Sequence, residues 1–356
     1  MITFLHSSDF HLEKSFASSG LGNISKTRRQ DIWKTVENII DYIIQRPVDL
    51  LLLAGDLYNE ENFTKTHMNR LMSLFARIPQ TKIFISPGNH DPYRKDGLWS
   101  FVNLPDNVFL FTQESFQKFE FEDYDIYGIA YQNPHFSFDE KLLNFELNES
   151  KINILLLHSD FTDSNSPYLP FSTKYFENQS FDYIATGHIH KPTKIDHRTF
   201  YPGSPEPLGF GEIGDHSVLY GEIADQVRVE KVFLSQSLFL EYIYEIEDPF
   251  NYYSLIRRLK DLSKGYEKKI YLRLVLKGPY EKSHINIEDL EQTLGDVFTY
   301  IEILDQRESP LDMEKLRSLN KDSIISVFIR EMDHEEGIVA EKALELGLEA
   351  LLDSGE

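Results

Sequence analysis

The chain of 356 residues contains no cysteine. Disulfide bonds and thiolate metal sites are therefore excluded, so any metal must be held by histidine, carboxylate, amide or water. Long apolar runs are also absent, because no stretch reaches the length that spans a membrane. The first residues, MITFLHSSDF, lack the basic start and the apolar core of a signal peptide. We therefore expect a soluble, cytoplasmic protein that does not associate with membranes.

Basic residues are scarce as well: 36 Lys and Arg stand against 58 Asp and Glu, for a formal net charge of -22. Such a charge repels phosphate at long range and counts against broad nucleic-acid binding. The charges are unevenly distributed, since residues 257–277 carry eight bases and two acids, whereas residues 330–356 carry two bases and nine acids. This asymmetry indicates that different regions meet different partners. A merely solvated helix and strand edge is the alternative for the basic segment.

Short apolar runs alternate with helical patterns along the first half of the chain, which predicts an α/β core. The chain is long enough for a large domain and a smaller one. Consecutive strand patterns between 199 and 234 predict that the core ends in an antiparallel portion. The predicted strands of the core are ITFLH, DLLLLA, KIFIS, YDIYGIA, INILLLH and FDYIAT, with helices near 25–46, 64–77 and 172–179.

A second unit is predicted to begin near residue 238 as a small βαβαβ module. Its strands are expected at 238–246, 269–277 and 298–304, with helices at 249–263 and 286–294. Two amphipathic helical patterns follow, at 321–332 and 335–353. Their apolar positions lie above an acidic face, which suits the docking of a partner helix or coiled coil; packing on the chain's own core is the alternative.

Polar residues follow five of the predicted core strands, at the point where each strand ends. Open α/β sheets build their sites at the carboxyl ends of strands, so we expect these side chains to converge. Singly, an Asp in such a place is usually a turn or a helix cap, and a His is usually an ordinary polar residue. Together they predict a functional site formed by Asp9 and His11, Asp56, Asn89 and His90, His158, and His188 and His190.

The stretch ATGHIHKPT places two histidines around Ile189. If strand alternation continues there, His188 and His190 point the same way and Ile189 points into the core. A carboxylate can bridge two divalent ions, imidazoles suit transition metals, and the Asn carbonyl is a neutral ligand. Two such ions can activate a water molecule and bind the oxygens of an in-line displacement at phosphorus. Phosphoester hydrolysis is therefore the predicted chemistry.

The order D-x-H, G-D, G-N-H-D, H and G-H-x-H resembles the calcineurin-like metallophosphoesterases. Within that superfamily, HSSDFHL, HKP and YPGSPEPLGFGE resemble the SbcD and YhaO type of DNA-repair exonuclease, the nuclease partner of an SbcC-type ATPase. The resemblance implies a four-layer α/β/β/α sandwich with a small α/β capping domain and C-terminal helices. The implied boundaries are 1–236 for the nuclease domain, 237–306 for the DNA-binding cap and 307–356 for a partner-binding helical region.

The resemblance also implies roles for individual residues. His90 would stabilise the transition state or protonate the departing oxygen, and Asp91 would orient His90 through a hydrogen bond. The cofactors would be two divalent ions, Mn²⁺ first, with Fe, Zn or Co as alternatives. One ion would be held by Asp9, His11 and His190 and the other by Asn89, His158 and His188, with Asp56 bridging them.

One position departs from the pattern. Archaeal and eukaryotic relatives carry a histidine three residues after the bridging aspartate, where this chain has Asn59, so the exonuclease direction and rate do not follow from the resemblance. The expected partners are DNA, an SbcC-like coiled-coil ATPase that binds residues 321–353, and a second copy of the chain. The candidate DNA contacts are Arg94 and Lys95 after the G-N-H-D motif and Arg257, Arg258, Lys268 and Lys269 in the cap.

Two functions remain open from the sequence. The first is an Mn-dependent exonuclease or endonuclease in DNA repair that works with an ATPase, which the cap and the helical tail favour. The second is a stand-alone phosphodiesterase or phosphatase for small nucleotides or phosphoproteins, which the acidic composition and Asn59 favour. A metal site kept only as a scaffold is disfavoured, because His90 and every expected ligand are present.

Overall fold

The structure, a computed structural model, describes residues 1–17, 20–137, 146–176, 179–246, 249–279, 285–308, 316, 323–334 and 337–353. The chain forms two compact units. The first comprises residues 1–240 with 266–271, and the second comprises 241–265 with 272–356. The division into three functional regions remains a prediction.

The first unit is built on two six-stranded sheets within its described residues. Its strands are β1 (Ile2–Ser7), β2 (Leu50–Leu53), β3 (Lys82–Ile85), β4 (Val108–Leu110), β5 (Gln117–Glu120), β6 (Tyr124–Gly128), β7 (Ile152–His158), β8 (Tyr183–Gly187), β9 (Thr193–Lys194), β10 (Thr199–Tyr201), β11 (Val218–Ile223) and β12 (Val227–Val232). The predicted core strands are confirmed, whereas β4, β5 and β9 are too short to stand out in the sequence.

The order of strands in the first sheet is β12-β11-β1-β2-β3-β4, and in the second it is β5-β6-β7-β8-β10-β9. Strands β1 to β4 are parallel, as are β6, β7 and β8. Strand β11 pairs antiparallel with both β1 and β12, which confirms the predicted antiparallel ending. The consecutive strands β10 and β11 nevertheless lie in different sheets, which the sequence pattern did not indicate.

The main core lies between the two sheets. Alternation along β2 directs Leu50 and Leu52 into it, where they pack with Phe4, Phe84 and Leu156. Leu51 and Leu53 point to the opposite face and are equally buried. Replacing one such side chain by alanine typically lowers the free energy of unfolding by about 2 to 5 kcal/mol. Packing in this core therefore stabilises the contact between the two sheets.

Helices and aromatic side chains complete the outer layers. Helices α1 (Ser25–Gln45) and α2 (Lys65–Phe75) carry buried apolar stripes, and a single turn, α3, spans Leu98–Phe101. A second cluster covers the other side of the second sheet, with Leu155 and Leu157 packing against Phe171 and Phe176. The helix predicted near 172–179 is a 3₁₀ turn at Thr173–Phe176, and its residues 177–178 lie outside the described residues. The predicted α/β sandwich is thus confirmed.

A buried ionic network ties α1 to the loop after β10. The Arg28 guanidinium is fully buried and donates to Asp31 at 2.7 Å and to Glu206 at 3.0 Å. Asp31 also accepts from the Lys269 ammonium at 2.5 Å and from the Tyr271 hydroxyl at 2.9 Å. Every charge in this network has an opposite partner, which offsets the cost of removing it from water.

The remaining elements are strands β13 (Ser237–Glu245), β14 (Lys269–Pro279) and β15 (Tyr300–Glu308), with helices α4 (Tyr252–Leu262) and α5 (Ile287–Leu294). The strands form a sheet in the order β13-β14-β15. Asn251 and Asn286 cap the two helices by accepting hydrogen bonds from backbone N–H groups. The predicted βαβαβ succession is confirmed.

The C-terminal patterns form helices α6 (Ile324–Met332) and α7 (Ile338–Asp353). Residues 321–322 and 335–336 of the predicted spans lie outside the described residues. The two helices pack on one another, with Ile325, Ile329 and Leu348 buried between them. Several large apolar side chains of the pair stay exposed, namely Ile324, Val327, Val339, Leu346 and Leu352.

Candidate metal centre

The carboxyl ends of strands from both sheets meet at one place. Strands β1, β2 and β3 are neighbours in the first sheet, and β7 and β8 are neighbours in the second. The loops after these strands bring histidine and carboxylate ligand atoms within 4.8 Å of one another. The overlapping groups are Asp9, His11 and His190; Asp9, Asp56 and His158; and His11, Asp56 and His90. The expected convergence of side chains is therefore present.

On one side of the site, the Nε2 atoms of His11 and His190 lie 3.1 Å apart. An Asp9 oxygen is 3.7 Å from Nε2 of His190. Two imidazoles that bind one ion at about 2.1 Å at right angles hold their nitrogens about 3 Å apart. The spacing of these donors therefore fits a shared divalent cation.

Asp56 connects this side to the other. Its Oδ2 atom lies 3.7 Å from Nε2 of His11 and 3.4 Å from Nε2 of His158. Nε2 of His158 is in turn 3.0 Å from Oδ1 of Asn89. One carboxylate oxygen thus lies between two donor groups, which is the arrangement a bridging ligand requires.

His188 is placed differently from the other histidines. Its ligand atoms are in none of these groups, although its ring centroid lies 5.3 Å from that of His158. Its Nε2 is 3.9 Å from an Asp160 oxygen, a distance too long for a hydrogen bond. Its backbone N–H lies 3.2 Å from both oxygens of Asp9 and donates to that carboxylate. Ile189 is only half-buried and lines a cavity, so the prediction that it points into the core was wrong.

Hydrogen bonds at Nδ1 orient three of the histidines. Nδ1 of His158 is 2.9 Å from the carbonyl oxygen of Ala54, and Nδ1 of His11 is 2.9 Å from Oδ1 of Asn59. Nδ1 of His190 is 2.6 Å from Oε1 of Glu212. When Nδ1–H donates to oxygen, the lone pair at Nε2 is directed at the metal position. Neither the hydrogen bond of Glu212 to His190 nor this role of Asn59 was predicted, because both are contacts between residues that lie far apart in the chain.

Glu212 is itself held in place by the loop that follows β10. Its Oε2 atom accepts hydrogen bonds from the Ser204 hydroxyl at 2.8 Å and from the backbone N–H of Leu208 at 2.9 Å. The stretch YPGSPEPLGFGE, quoted above for its resemblance to nucleases, therefore supports a histidine of the site.

The loops carry backbone strain at the functional residues. Asp9, His11 and Asp56 have φ values of 55°, 51° and 54°, and His188 has a φ of 105°. Such conformations cost about 1 to 3 kcal/mol each in non-glycine residues and persist only where the surroundings enforce them. Here the backbone N–H of Asp9 donates to Gly55 and that of His11 to Asp56, each at 3.0 Å.

Two glycines are required by close approach. A Cβ atom at Gly88 would lie 2.3 Å from Oδ1 of Asp56, and one at Gly187 would lie 2.0 Å from the carbonyl oxygen of Ala54. Both distances are far shorter than van der Waals contact. Any side chain at these positions would push apart the strand ends that carry the site.

The electrostatics of the site favour the binding of a cation. Burial raises the pKa of Asp56 to about 8, and the charge of Asp9 adds to the shift. Burial lowers the pKa values of His11 and His158, and lowers that of His188 to about 4. At His190, burial is outweighed by the hydrogen bond to Glu212 and by Asp9, which raise its pKa to about 9. Packed carboxylates and neutral imidazoles of this kind are the donor set of a divalent-metal site.

His90 lies at the exposed edge of the cluster, and partial desolvation of its ring by the neighbouring groups lowers its pKa to about 4. The predicted hydrogen bond from Asp91 to His90 is wrong. The Asp91 carboxylate instead accepts three backbone N–H bonds, from Asp56 at 3.0 Å, Leu57 at 2.9 Å and Gly88 at 2.7 Å. Asp91 therefore holds together the loops after β2 and β3, and it is Asn59 whose Nδ2 lies 3.4 Å from Nδ1 of His90.

The candidate DNA contacts fall into different environments. Lys95 is exposed after the G-N-H-D motif, whereas Arg94 pairs with Glu60 at 3.0 Å. Arg257 and Arg258 lie exposed on α4. The ammonium of Lys268 donates to Ser235 at 2.8 Å, and that of Lys269 contacts Asp31 at 2.5 Å in the buried network. Residues 266–271, which include both lysines, lie in the first unit rather than in the second.

A cavity of about 610 Å³ opens beside the metal position. His188 and His190 form one wall. Ile189 and Ile213 contribute apolar surface, and the exposed Lys191 and Lys231 lie along the lining. Glu212 and Asp215 also line the cavity, so it carries two carboxylates beside the two lysines. The size is that of a small-molecule pocket.

Comparisons with known proteins agree with this geometry. The family model for calcineurin-like phosphoesterases matches residues 2–192. The uncharacterized metallophosphoesterase YhaO of Bacillus subtilis is 25% identical over 328 residues, which are 86% of this chain and 78% of that protein. No helix among the described residues is long and apolar enough to cross a membrane.

DNA double-strand break repair proteins named Mre11 are also similar. The protein of Methanocaldococcus jannaschii is 28% identical over 197 residues, and that of Methanococcus maripaludis is 30% identical over 239. These matches cover 53% and 60% of this chain, and the chain spans only 51% and 59% of the two relatives. The structure of TT1561 of Thermus thermophilus matches 65% of this chain with a TM-score of 0.43 and 10% identity, and that structure is covered to 99%.

Proposed function

This chain belongs to the calcineurin-like phosphoesterase family, and from that premise we propose that it is a two-metal phosphodiesterase that cuts DNA in repair, as an exonuclease or endonuclease. The observation that carries the proposal is the position of Asp56, whose Oδ2 lies within 3.7 Å of His11 and 3.4 Å of His158. Metal-dependent hydrolysis of phosphoesters is the chemistry of the family. The proposal adds that the phosphoester is in DNA.

We propose the following ligands. Asp9, His11 and His190 would hold one ion, Asn89, His158 and His188 the other, and Asp56 both. Two divalent ions, Mn²⁺ in this proposal, with Fe, Zn or Co able to occupy the same donors, supply Lewis acidity and lower the pKa of water. Glu212, Asn59 and the Ala54 carbonyl orient the imidazoles, and His90, at the exposed edge, would face the substrate.

Three features support DNA as the substrate. The cavity beside His190 carries Lys191 and Lys231, which suit the phosphates that flank a scissile bond. The cap helix α4 exposes Arg257 and Arg258. Relatives that match over half of the chain are double-strand break repair proteins.

The C-terminal helices support a protein partner. The apolar side chains that remain exposed on α6 and α7, including Val339 at 84% and Leu346 at 55%, suit the docking of a coiled coil. We therefore propose that an SbcC-like ATPase binds residues 321–353. A cytoplasmic location and a homodimer are further parts of this proposal, the dimer suggested by Phe101, which is 66% exposed beside Met68 of α2.

A stand-alone phosphodiesterase or phosphatase for small nucleotides or phosphoproteins is the second candidate. The net charge of -22 favours it, because a duplex is repelled at long range. The second candidate is also favoured because the basic side chains of Arg94, Lys268 and Lys269 already form ion pairs with acidic residues of the chain itself.

The deciding experiment measures Mn²⁺-dependent cleavage of end-labelled linear DNA by the purified chain, beside a small chromogenic phosphodiester. Cleavage of DNA that is lost in His90→Ala, while metal binding is retained, supports the nuclease. Cleavage of the small diester alone, also after a coiled-coil ATPase partner has been added, supports the second candidate. If neither substrate is cleaved with Mn²⁺, Fe²⁺, Zn²⁺ or Co²⁺, the proposal fails.

A further inference from the structure

Asn59 lies between two histidines of different function. Its Oδ1 is 2.9 Å from Nδ1 of His11, a proposed metal ligand, and its Nδ2 is 3.4 Å from Nδ1 of His90, the histidine at the exposed edge of the site. The two imidazole rings meet edge to face, with centroids 4.9 Å apart and an interplanar angle of 73°. One amide side chain therefore contacts the Nδ1 atom of both rings.

The backbone holds Asn59 in this position. Its N–H donates to the carbonyl oxygen of Leu12 at 3.0 Å, and its own carbonyl accepts the N–H groups of Asn62 and Phe63 at 3.2 Å each. The side chain has few rotatable bonds beyond this anchored backbone. Its contacts with the two histidines are thus part of the folded loop rather than chance positions of a mobile group.

The direction of the amide follows from His11. Nε2 of His11 lies 3.1 Å from Nε2 of His190 and 3.7 Å from Asp56. As a ligand of the proposed ion, His11 presents the lone pair of Nε2 to it. The ring proton of His11 is then on Nδ1 and donates to an acceptor, which must be the amide oxygen of Asn59. The amide NH₂ consequently faces His90.

An NH₂ group that points at Nδ1 of His90 needs a lone pair there. The single ring proton of His90 is then on Nε2, the nitrogen that remains for the substrate. A histidine that protonates a departing oxygen must carry a proton on both nitrogens, so that it is neutral after it gives one away. With Nδ1 occupied by an amide donor, loss of the Nε2 proton would leave an anionic ring.

We propose that Asn59 is a positioning residue that holds His90 with its proton on Nε2, so that His90 donates a hydrogen bond to the substrate phosphate and keeps its proton throughout the reaction. The inference rests on the proposed phosphodiesterase function. As the bond between phosphorus and the leaving oxygen breaks, that oxygen takes its proton from water, and His90 stabilises the charge on a phosphoryl oxygen that stays on phosphorus.

A carboxylate at position 59 would act differently, because it can only accept. It would still take the Nδ1 proton of His11, but it would also draw a proton onto Nδ1 of His90. The substitution Asn59→Asp should therefore place the ring proton of His90 on Nδ1 instead of Nε2, while the ring proton of His11 stays on Nδ1. Asn62→Asp is the matched control: Asn62 is exposed on the same loop, and this change adds the same charge without an amide at either imidazole.

The first test uses nitrogen-15 NMR of histidine-labelled protein without metal and with Zn²⁺, with signals assigned by His90→Gln. We expect a protonated Nε2 and an unprotonated Nδ1 at His90 in the parent chain and in Asn62→Asp, and a protonated Nδ1 in Asn59→Asp. A protonated Nδ1 in the parent chain overturns the inference. This readout needs no turnover, so it is independent of whether the proposed function holds.

The second test compares the p-nitrophenyl and phenyl esters of thymidine 5′-phosphate with Mn²⁺. Removing one hydrogen-bond donor to a transition state typically costs roughly 10²- to 10³-fold, so we expect His90→Ala to lower kcat/KM by that factor for both esters alike. A loss at least about tenfold larger for the phenyl ester, whose leaving group is poorer, would show that His90 protonates the leaving oxygen. Absence of turnover in the parent chain would count against the proposed function instead.

Discussion

Oε1 of Glu212 accepts a 2.6 Å hydrogen bond from Nδ1 of His190, and the two residues are brought together by separate loops. The bond turns Nε2 of His190 toward Nε2 of His11. Glu212 belongs to no metal-binding motif, yet it decides which nitrogen of a motif histidine is free. The charge of this carboxylate also increases the basicity of the imidazole.

Replacing Glu212 by alanine is expected to weaken Mn²⁺ binding about 10- to 100-fold, the usual cost of losing such a partner. Glu212→Gln should lose less, because the amide oxygen can still accept from Nδ1. Binding is measured by titration calorimetry or by the electron paramagnetic resonance signal of free Mn²⁺. Asp215→Ala, in the same loop, is the control, since Asp215 pairs with Lys268 at 3.5 Å and bonds no histidine among the described residues. Equal affinities in all four proteins would refute the role of Glu212.

Metal affinity is expected to rise with pH between 6 and 9. In the metal-free protein, Glu212 and Asp9 outweigh burial and raise the pKa of His190 to about 9, while burial raises that of Asp56 to about 8. Below these values both groups hold protons that an incoming cation must displace, and above them they do not. The affinity should therefore increase by up to about tenfold per pH unit for each proton released.

The proton release itself is measured by calorimetry in buffers of different ionisation enthalpy. We expect one to two protons released per bound pair of ions near pH 7, and fewer in Glu212→Gln, which lacks the charge that raises the pKa of His190. An affinity that is constant from pH 6 to 9 would contradict this account.

The cavity beside the site is expected to bind a flanking phosphate. Lys191→Glu combined with Lys231→Glu should lower kcat/KM on single-stranded oligonucleotides by at least about tenfold, because cationic contacts dominate binding to a phosphate backbone. A small chromogenic phosphodiester, which does not reach these lysines, should be cleaved as before. The control is Lys65→Glu with Lys174→Glu, which changes the net charge equally at exposed positions outside the cavity lining. Equal losses in both double variants would indicate a general charge effect.

Arg28→Ala is expected to destabilise the first unit by about 3 to 5 kcal/mol, because Asp31 and Glu206 would remain buried without their partner. Urea unfolding in the presence of EDTA separates this effect from metal binding. Arg77→Ala should have a far smaller effect, because its pair with Asp41 is largely exposed. A similar stability for both variants would show that the buried network contributes little.

The fold could largely be predicted from the sequence. Runs such as Leu50–Leu53 and Ile152–His158 are apolar enough to identify buried strands, and the spacing between them leaves room for helices. The division into two sheets could not be predicted, because β10 and β11 follow one another and yet join different sheets. Pairing partners are chosen by packing between distant segments, which local patterns do not report.

The contacts of individual residues could not be predicted from their neighbours in the chain. Asp91 stands next to His90 but bonds the backbone of Asp56, Leu57 and Gly88. Lys269 lies in a basic segment but pairs with Asp31, which is 238 residues away in the chain. Ile189 alternates with the two histidines but faces a cavity, because the positive φ of His188 ends the strand geometry.

What the sequence by itself determined is the chemistry available to this protein: which strand ends carry carboxylate, amide and imidazole groups, and in which order. That follows because ligand type is a property of the side chain, and strand ends can be recognised locally. Only the tertiary structure decided which nitrogen of each imidazole is free, which charges are already paired and that Asp56 lies between two donor groups. Those properties depend on contacts between residues far apart in the chain, such as the 2.6 Å hydrogen bond between His190 and Glu212 and the 3.7 Å approach of His190 to Asp9, which form only once the two sheets have packed.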